Sequence, residues 1–151
     1  LSHELDIARW LLGDVRSVLA SAYRLGDLDV DVEDSADIVL KFDHAMANIH
    51  LDMIRRVPCR RCTVLGTDGQ LEWNGLTNEV QAFQASSGRR EVLVPPNGWD
   101  RNHMYEAELK HFIDCVRDGS APIVDGEEGR QTLAVALAAR RSSEEHREVA
   151  L

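Results

Sequence analysis

The chain has 151 residues, 44% of them hydrophobic, and a formal net charge of -9, enough apolar material for one buried core, so a single domain is the expectation. The acidic balance and the lack of a basic stripe argue against a nucleic-acid partner, and no apolar run nears the ~20 residues that span a bilayer. Three cysteines, Cys59, Cys62 and Cys115, fit a reducing, cytoplasmic setting better than a disulfide framework.

The first stretch, residues 1 to 13, reads as a helix that organises the rest. Ser2 can cap the free amides of its first turn, Glu4 and Asp6 place negative charge at the favourable end of the helix dipole, and Gly13 offers a left-handed stop. Leu5, Ala8 and Leu12 share one side with Ile7, Trp10 and Leu11 beside them, which predicts a mostly buried helix. His3 then stands at the open N-terminal end of a helix fixed by packing, where an imidazole can be held still. Residues 15 to 24 are rich in small and branched side chains and suit a strand. In the acidic loop that follows, Asp27, Asp29 and Asp31 imitate the first ligands of a calcium loop. Val32 stands where such a loop needs Gly, however, and Ile38 where it needs a bidentate Glu, so the loop is assigned to solvent and no metal site is expected.

Two long strands are predicted at residues 35 to 43 and 45 to 56. In the second, Ala45, Ala47, Ile49, Leu51 and Met53 alternate with Asn48, His50 and Asp52, the pattern of a sheet with one face on a core. His44 and His50 share a face but lie about 20 Å apart along an extended strand, too far for one metal ion. Arg55-Arg56-Val57-Pro58-Cys59-Arg60-Arg61-Cys62 follows as a hairpin corner. Its Cys59-x-x-Cys62 lacks the strand-to-helix start of a redox motif and the further ligands of a zinc site. Its four arginines concentrate positive charge, either as a solvated corner or as an anion or interface site. Residues 63 to 73 form the clearest hairpin, with Asp68-Gly69 supplying positive backbone torsions at a tight turn. Further strands are predicted at 78 to 84 and 90 to 94, and Pro95-Pro96-Asn97-Gly98 closes the sheet section. From a cap at Asp100, Tyr105, Leu109, Phe112, Ile113 and Val116 form one apolar helical stripe closed by Asp118-Gly119. Pro122 lies in the next connection, and Asp125 and Glu128 have capping-box spacing ahead of a last helix over about 127 to 147.

The wording Ser2-His3-Glu4-Leu5-Asp6 through Leu11-Leu12-Gly13-Asp14-Val15, the Gly66-x-x-Gly69 hairpin, the Tyr105-x-x-Glu108-Leu109-x-x-Phe112 helix, the Pro122 connection and Asp125-Gly126-x-x-Gly129 occur in that order. The ordered set resembles the C-terminal domain of the glucose-fructose oxidoreductase, inositol dehydrogenase and MocA family of nicotinamide-dependent oxidoreductases. The resemblance implies an α+β fold with an open, largely antiparallel sheet and helices on one face, of the dihydrodipicolinate-reductase-like C-terminal kind. The family signature Asp-x-Gly-x-His-x-x-Asp would match its His to His3 and its last Asp to Asp6. Its first Asp would fall before residue 1, as in a piece of a longer protein.

On this resemblance residues 1 to 151 are the substrate-binding and oligomerisation domain of an NAD- or NADP-dependent oxidoreductase acting on a sugar, polyol or nucleotide sugar. His3 is the catalytic acid or base, and Asp6, Arg55 and Arg56 meet the substrate. The cofactor would be held mainly by an N-terminal domain that this chain lacks. No Gly-x-Gly-x-x-Gly follows a strand here, and Lys41 and Lys110, the two lysines, lack the family's Glu-Lys-Pro context, so the fragment alone is expected to be inactive. Helices too few to cover both faces of a six-stranded sheet leave one mixed face, and association of copies through it is expected. The alternative is a non-catalytic α+β module that binds a ligand or partner.

Overall fold

The computed structural model describes residues 2 to 151. Leu1, where the reading of the first helix begins, lies outside the described residues. The elements run in the order α1 (Ser2–Leu12), β1 (Ser17–Tyr23), β2 (Ser35–Lys41), β3 (Met46–Asp52), β4 (Arg61–Gly66), β5 (Gly69–Asn74), β6 (Glu79–Gln84), β7 (Arg89–Leu93), α2 (Asn102–Asp118), α3 (Gly126–Glu145) and β8 (Val149–Ala150). The class is α+β with antiparallel pairing throughout, as the sequence reading has it. The strands do not share one sheet, however. They form two four-stranded sheets ordered β3-β2-β1-β8 and β4-β5-β6-β7, and the chain divides into two compact units, one running to Arg55 and resuming over Ala121–Leu151, the other Arg56–Ser120.

In the first unit α1 and α3 pack with the sheet around Leu5, Val18, Ile38, Leu40, Phe42, Val135, Ala138, Ala139 and Val149. Leu5, Val18 and Leu40 are wholly buried, each contributing about 1.5 to 3 kcal/mol of transfer free energy. The alternation predicted for β3 holds: Ala47, Ile49 and Leu51 face the core side while Asn48 and His50 are exposed. The strand is shorter at both ends than its hydrophobic pattern. Burial of α1 is narrower than predicted, because Leu5, Ala8 and Arg9 are its buried residues while Trp10 is 82% exposed. Gly13 stops the helix with a positive φ of 89° and an N–H bonded to the Arg9 carbonyl at 2.8 Å. Ser2, read as its cap, is the first described residue of the helix.

Two serines explain how a polar stretch of α3 can lie on a sheet. Beyond its short pairing with β8, the free edge of β1 is satisfied by side chains: the Ala20 N–H donates to Ser142 Oγ at 2.9 Å and the Ala22 N–H to Ser143 Oγ at 2.8 Å. Ser142 in turn donates to the Arg147 carbonyl at 2.6 Å, leaving no buried backbone donor unmatched there. Asp125 caps α3 as predicted, accepting from the N–H groups of Glu127 and Glu128. The capping box is not completed, because the Glu128 carboxylate pairs with Arg9.

The second unit is a four-stranded meander followed by α2. The residues between β4 and β5 are Thr67 and Asp68, and neither Asp68 nor Gly69 has a positive φ, so the torsional reason inferred for Gly69 does not hold. A steric one replaces it: a Cβ at Gly69 would sit 1.9 Å from the Phe83 carbonyl oxygen of the neighbouring strand. The arginine corner is likewise not a hairpin, since β3 and β4 belong to different sheets. Asp100 caps the start of α2 as expected: its Oδ1 accepts the Asn102 N–H at 2.7 Å and its own N–H donates to His103 Nδ1 at 3.0 Å, while Arg101 between them already has helical torsions. The helix ends as expected at Gly119, with φ 67° and its N–H on the Cys115 carbonyl. Its apolar stripe is exposed at Tyr105, Leu109, Phe112 and Val116.

Candidate functional site

The predicted site residues begin on the first turns of α1, in the first unit. His3 and Asp6, three apart, share one face of the helix and both are exposed. Asp6 is already engaged: its Oδ1 accepts a 2.9 Å bond from the hydroxyl of Thr132 on α3. Thr132 Oγ1 itself accepts from Arg9 Nη1 at 2.8 Å. Arg9 also donates to the Glu128 carbonyl at 3.1 Å, to Glu128 Oε2 at 3.0 Å, and to Gln131 Oε1. A guanidinium with a 7% exposed side chain thus knots α1 to the first turns of α3, and the Thr132 hydroxyl passes its polarity on to Asp6. The result is a rigid base for the turn that carries His3.

This knot was not foreseen. Its signal was present, because Arg9 falls on the stripe of Leu5, Ala8 and Leu12, and a charge on a buried stripe requires partners. What the one-helix reading lacked was the matching polar row Glu128, Gln131, Thr132 on α3.

Arg55 and Arg56 separate at the boundary of the two units. Arg55 is tied back to the end of β3, with its backbone N–H on Asp52 Oδ1 at 2.7 Å and its Nε on Asp52 Oδ2 at 3.1 Å. Arg56 is exposed. Of the other corner arginines, Arg60 lies over the Trp73 ring, 5.4 Å from its centroid, a cation-π contact that gives it a structural role. The corner is therefore only partly a solvated charge cluster. Cys59 and Cys62 are free thiols.

The acidic loop is organised by Asp34, not by the calcium-loop-like Asp27, Asp29 and Asp31. Asp34 is 2% exposed, and its two oxygens accept the N–H groups of Leu25 and Gly26 at 2.8 Å each. Those bonds, the one from Leu25 first, hold its carboxyl below the ordinary aspartate range against the opposing effect of burial. Gly26 packs closely beside it, where a Cβ would lie 2.4 Å from Ile54 Cγ2 and displace that side chain. Next to this loop is a cleft of about 730 Å³ whose lining includes Tyr23, Asp34, Asp52, Met53, Arg140 and His146.

The residues here do not fit a dinucleotide. Every strand pair described is antiparallel, so among the described residues there is no crevice at the carboxyl ends of parallel strands and no glycine-rich strand-to-helix turn to receive a pyrophosphate. Among the described residues no group of three or more His, Cys, Asp or Glu side chains is placed to hold a metal ion, and no helix is long and apolar enough to cross a membrane.

Comparison with known proteins matches residues 1–151 to the model of the oxidoreductase family C-terminal alpha/beta domain, GFO_IDH_MocA_C. The chain is 31% identical over 158 aligned residues to myo-inositol 2-dehydrogenase of Thermotoga maritima, a match covering 99% of this chain and 47% of that protein. Among solved structures it is similar to the aldose-aldose oxidoreductase of Caulobacter crescentus complexed with glycerol, with a TM-score of 0.83 and 29% identity over 99% of this chain and 45% of the other. It is also similar to the WlbA dehydrogenase of Bordetella pertussis in complex with NADH and UDP-GlcNAcA, with a TM-score of 0.75 and 27% identity over 99% and 43%. The chain spans about half the length of the relatives it matches.

Proposed function

The chain belongs to the glucose-fructose oxidoreductase, inositol dehydrogenase and MocA family of oxidoreductases as its C-terminal α/β domain, and on that premise we propose that the whole protein is an NAD(P)-dependent dehydrogenase of a sugar, polyol or nucleotide sugar. The observation that carries the proposal is the family match over all 151 residues, joined to relatives that include an inositol dehydrogenase and a dehydrogenase bound to NADH and a nucleotide sugar. The nicotinamide is held by a separate domain, and this chain alone does not turn over substrate. Within it, His3 is the acid or base at the substrate hydroxyl, a task suited to an imidazole because its ring can give or take a proton. Asp6, fixed by Thr132, orients the substrate beside it, and Arg55 and Arg56 meet an anionic portion when the substrate has one.

The enzyme works in the cytoplasm as a homo-oligomer. Support for its assembly comes from the outer face of the first sheet, where register brings Leu19, Val39 and Asn48 into one row and Ser17, Lys41 and Met46 into another. Leu19 is 44% and Met46 61% exposed on that face, which suits a second copy of the same surface.

The test is to express the full-length protein and follow nicotinamide reduction with myo-inositol, aldoses and UDP-sugars in parallel. Reduction with one of these classes, and a loss of about 10² in turnover for His3→Ala with cofactor affinity retained, is the expected result. No reduction with any of them, together with no binding of NAD(H) or NADP(H), would overturn the dehydrogenase reading and favour a ligand-binding module. Turnover of the variant within twofold of the wild type would remove His3 alone.

A further inference from the structure

Outside the α1 turns, one cluster of titratable groups is assembled with unusual completeness: both ring nitrogens of His50 face carboxylates. His50 Nδ1 lies 2.8 Å from Asp37 Oδ1 on β2, and Nε2 lies 3.1 Å from Asp52 Oδ2 on its own strand. Only the imidazolium can donate from both nitrogens, since neutral imidazole has one N–H and one lone pair. With the proton removed, one of the two carboxylates would face a lone pair, so the geometry as built is that of the charged ring.

The cluster sits where it can govern more than itself. Asp37 and His50 are register partners across β2 and β3, and β3 is the edge strand of its sheet. Asp52, whose side chain is 11% exposed, is the last residue of β3, lines the cleft of the first unit, and accepts both the backbone N–H and the Nε of Arg55. Arg55 is the residue at which the chain leaves the first unit.

We infer that Asp37, His50 and Asp52 form a proton-operated clasp, in which the charged imidazole ties β2 to the end of edge strand β3 through both carboxylates, whereas the neutral ring keeps only one of them and the Asp52–Arg55 bonds stand in both states. The inference does not rest on the dehydrogenase reading. The charged groups that meet His50 are Asp37 from β2 and, from its own segment, Asp52 with Arg55 behind it. Farther along the same face, Lys41 is paired with Glu148 at 2.6 Å, and β1 presents the hydroxyl residues Ser21 in the row of Asp37 and Tyr23 in the row of Asp52.

The direction of the response follows from the contacts. The Asp37 bond is the largest influence and raises the His50 pKa above its ordinary value; burial, next in size, opposes it, and the Asp37 charge followed by the bond to and charge of Asp52 add to the rise. A His raised on folding stabilises fully below its unfolded pKa of ~6.5, and that contribution is lost as pH rises through the higher folded value. Burial opposes ionisation of Asp52, but the bonds from Arg55 and His50 outweigh it and hold that carboxyl below its ordinary range, so it is charged throughout the window in which His50 titrates.

Nuclear magnetic resonance of the 151-residue chain between pH 5 and 9 tests the clasp. The His50 ring should titrate above ~6.5, and the Arg55 backbone amide should shift with the same midpoint. Asp37→Asn and Asp52→Asn should each lower the His50 midpoint by about half a unit or more, and in His50→Gln the Arg55 amide should no longer follow pH in this range. A His50 midpoint at or below ~6.5 in the wild type, or one unmoved by both carboxylate substitutions, would overturn the inference. So would an Arg55 amide that ignores the His50 titration.

Discussion

Replacing Arg9 by Met is the sharpest test of how α1 is held. The aliphatic stem keeps its packing, while the bonds to the Glu128 carbonyl and carboxylate, to Gln131 and to Thr132 are lost. Two limits bracket the cost. Breaking a fully buried ion pair leaves an unsolvated charge and costs about 3 to 5 kcal/mol, whereas a surface pair is worth about 0 to 1 kcal/mol. Here the guanidinium is buried but the Glu128 side chain is 50% exposed, so the carboxylate rehydrates, and Thr132 still donates to Asp6. The loss is then mainly of charge-assisted hydrogen bonds, about 2 kcal/mol. Because the chain has two units, a global melting curve is a poor reporter. Native-state hydrogen exchange at Val18 and Leu40, both in the core beneath the helices, should accelerate ~30-fold. Glu128→Gln, which keeps an acceptor at a half-exposed position, should accelerate it only about threefold. Exchange within twofold of wild type for Arg9→Met, or equal effects of the two substitutions, would show that the buried bonds are not what secures the helix.

Gly69→Ala should destabilise the second unit by about 3 kcal/mol, since its Cβ must displace backbone of β6 rather than a side chain; unfolding followed through the Trp73 fluorescence on β5 reads it, and a change under about 0.5 kcal/mol would contradict the close approach. Ser142→Ala should cost about 1 to 3 kcal/mol by stranding the buried Ala20 N–H, measured by exchange at that amide, which should be affected more than the amide of Ala22. In the full-length protein, reversing the charge of Arg55 and Arg56 together should raise KM for an anionic substrate and make it salt-sensitive; a KM indifferent to ionic strength would return both residues to solvent. Light scattering at ~100 μM should find copies associated, with masking of Leu19 and Met46 on the outer face of the first sheet; a monomer with that face open to solvent would exclude the assembly.

The parts of this fold that were legible in the sequence are those set by local pattern. The period-2 alternation of β3, the helical stripe of α2, the left-handed stops at Gly13 and Gly119 and the cap at Asp125 each depend on residues a few positions apart, and each is present. His3 and Asp6 were matched to the family signature by resemblance, and both lie exposed on α1. What failed depended on partners far along the chain. Gly69 was assigned to torsion because the turn beside it is visible in sequence, whereas the Phe83 carbonyl that forbids a Cβ comes from the next strand. Glu128 was assigned to a capping box because Asp125 is three residues away, whereas its true partner, Arg9, is separated from it by 119 residues. His50 read as one member of a polar row, and only the β2 register supplies Asp37 for its second nitrogen. Buried polar groups obey a strict rule, that each must be satisfied, but the rule names no partner. A charged residue on an apolar stripe, such as Arg9, therefore marks in sequence where a long-range contact must exist, and the fold is needed to say with what. In this chain Arg9 marks the Arg9–Thr132–Asp6 seam between α1 and α3, whereas the Asp37–His50–Asp52 cluster at the end of β3 carries no such mark, because its members lie on exposed faces of strands whose register alone brings them together.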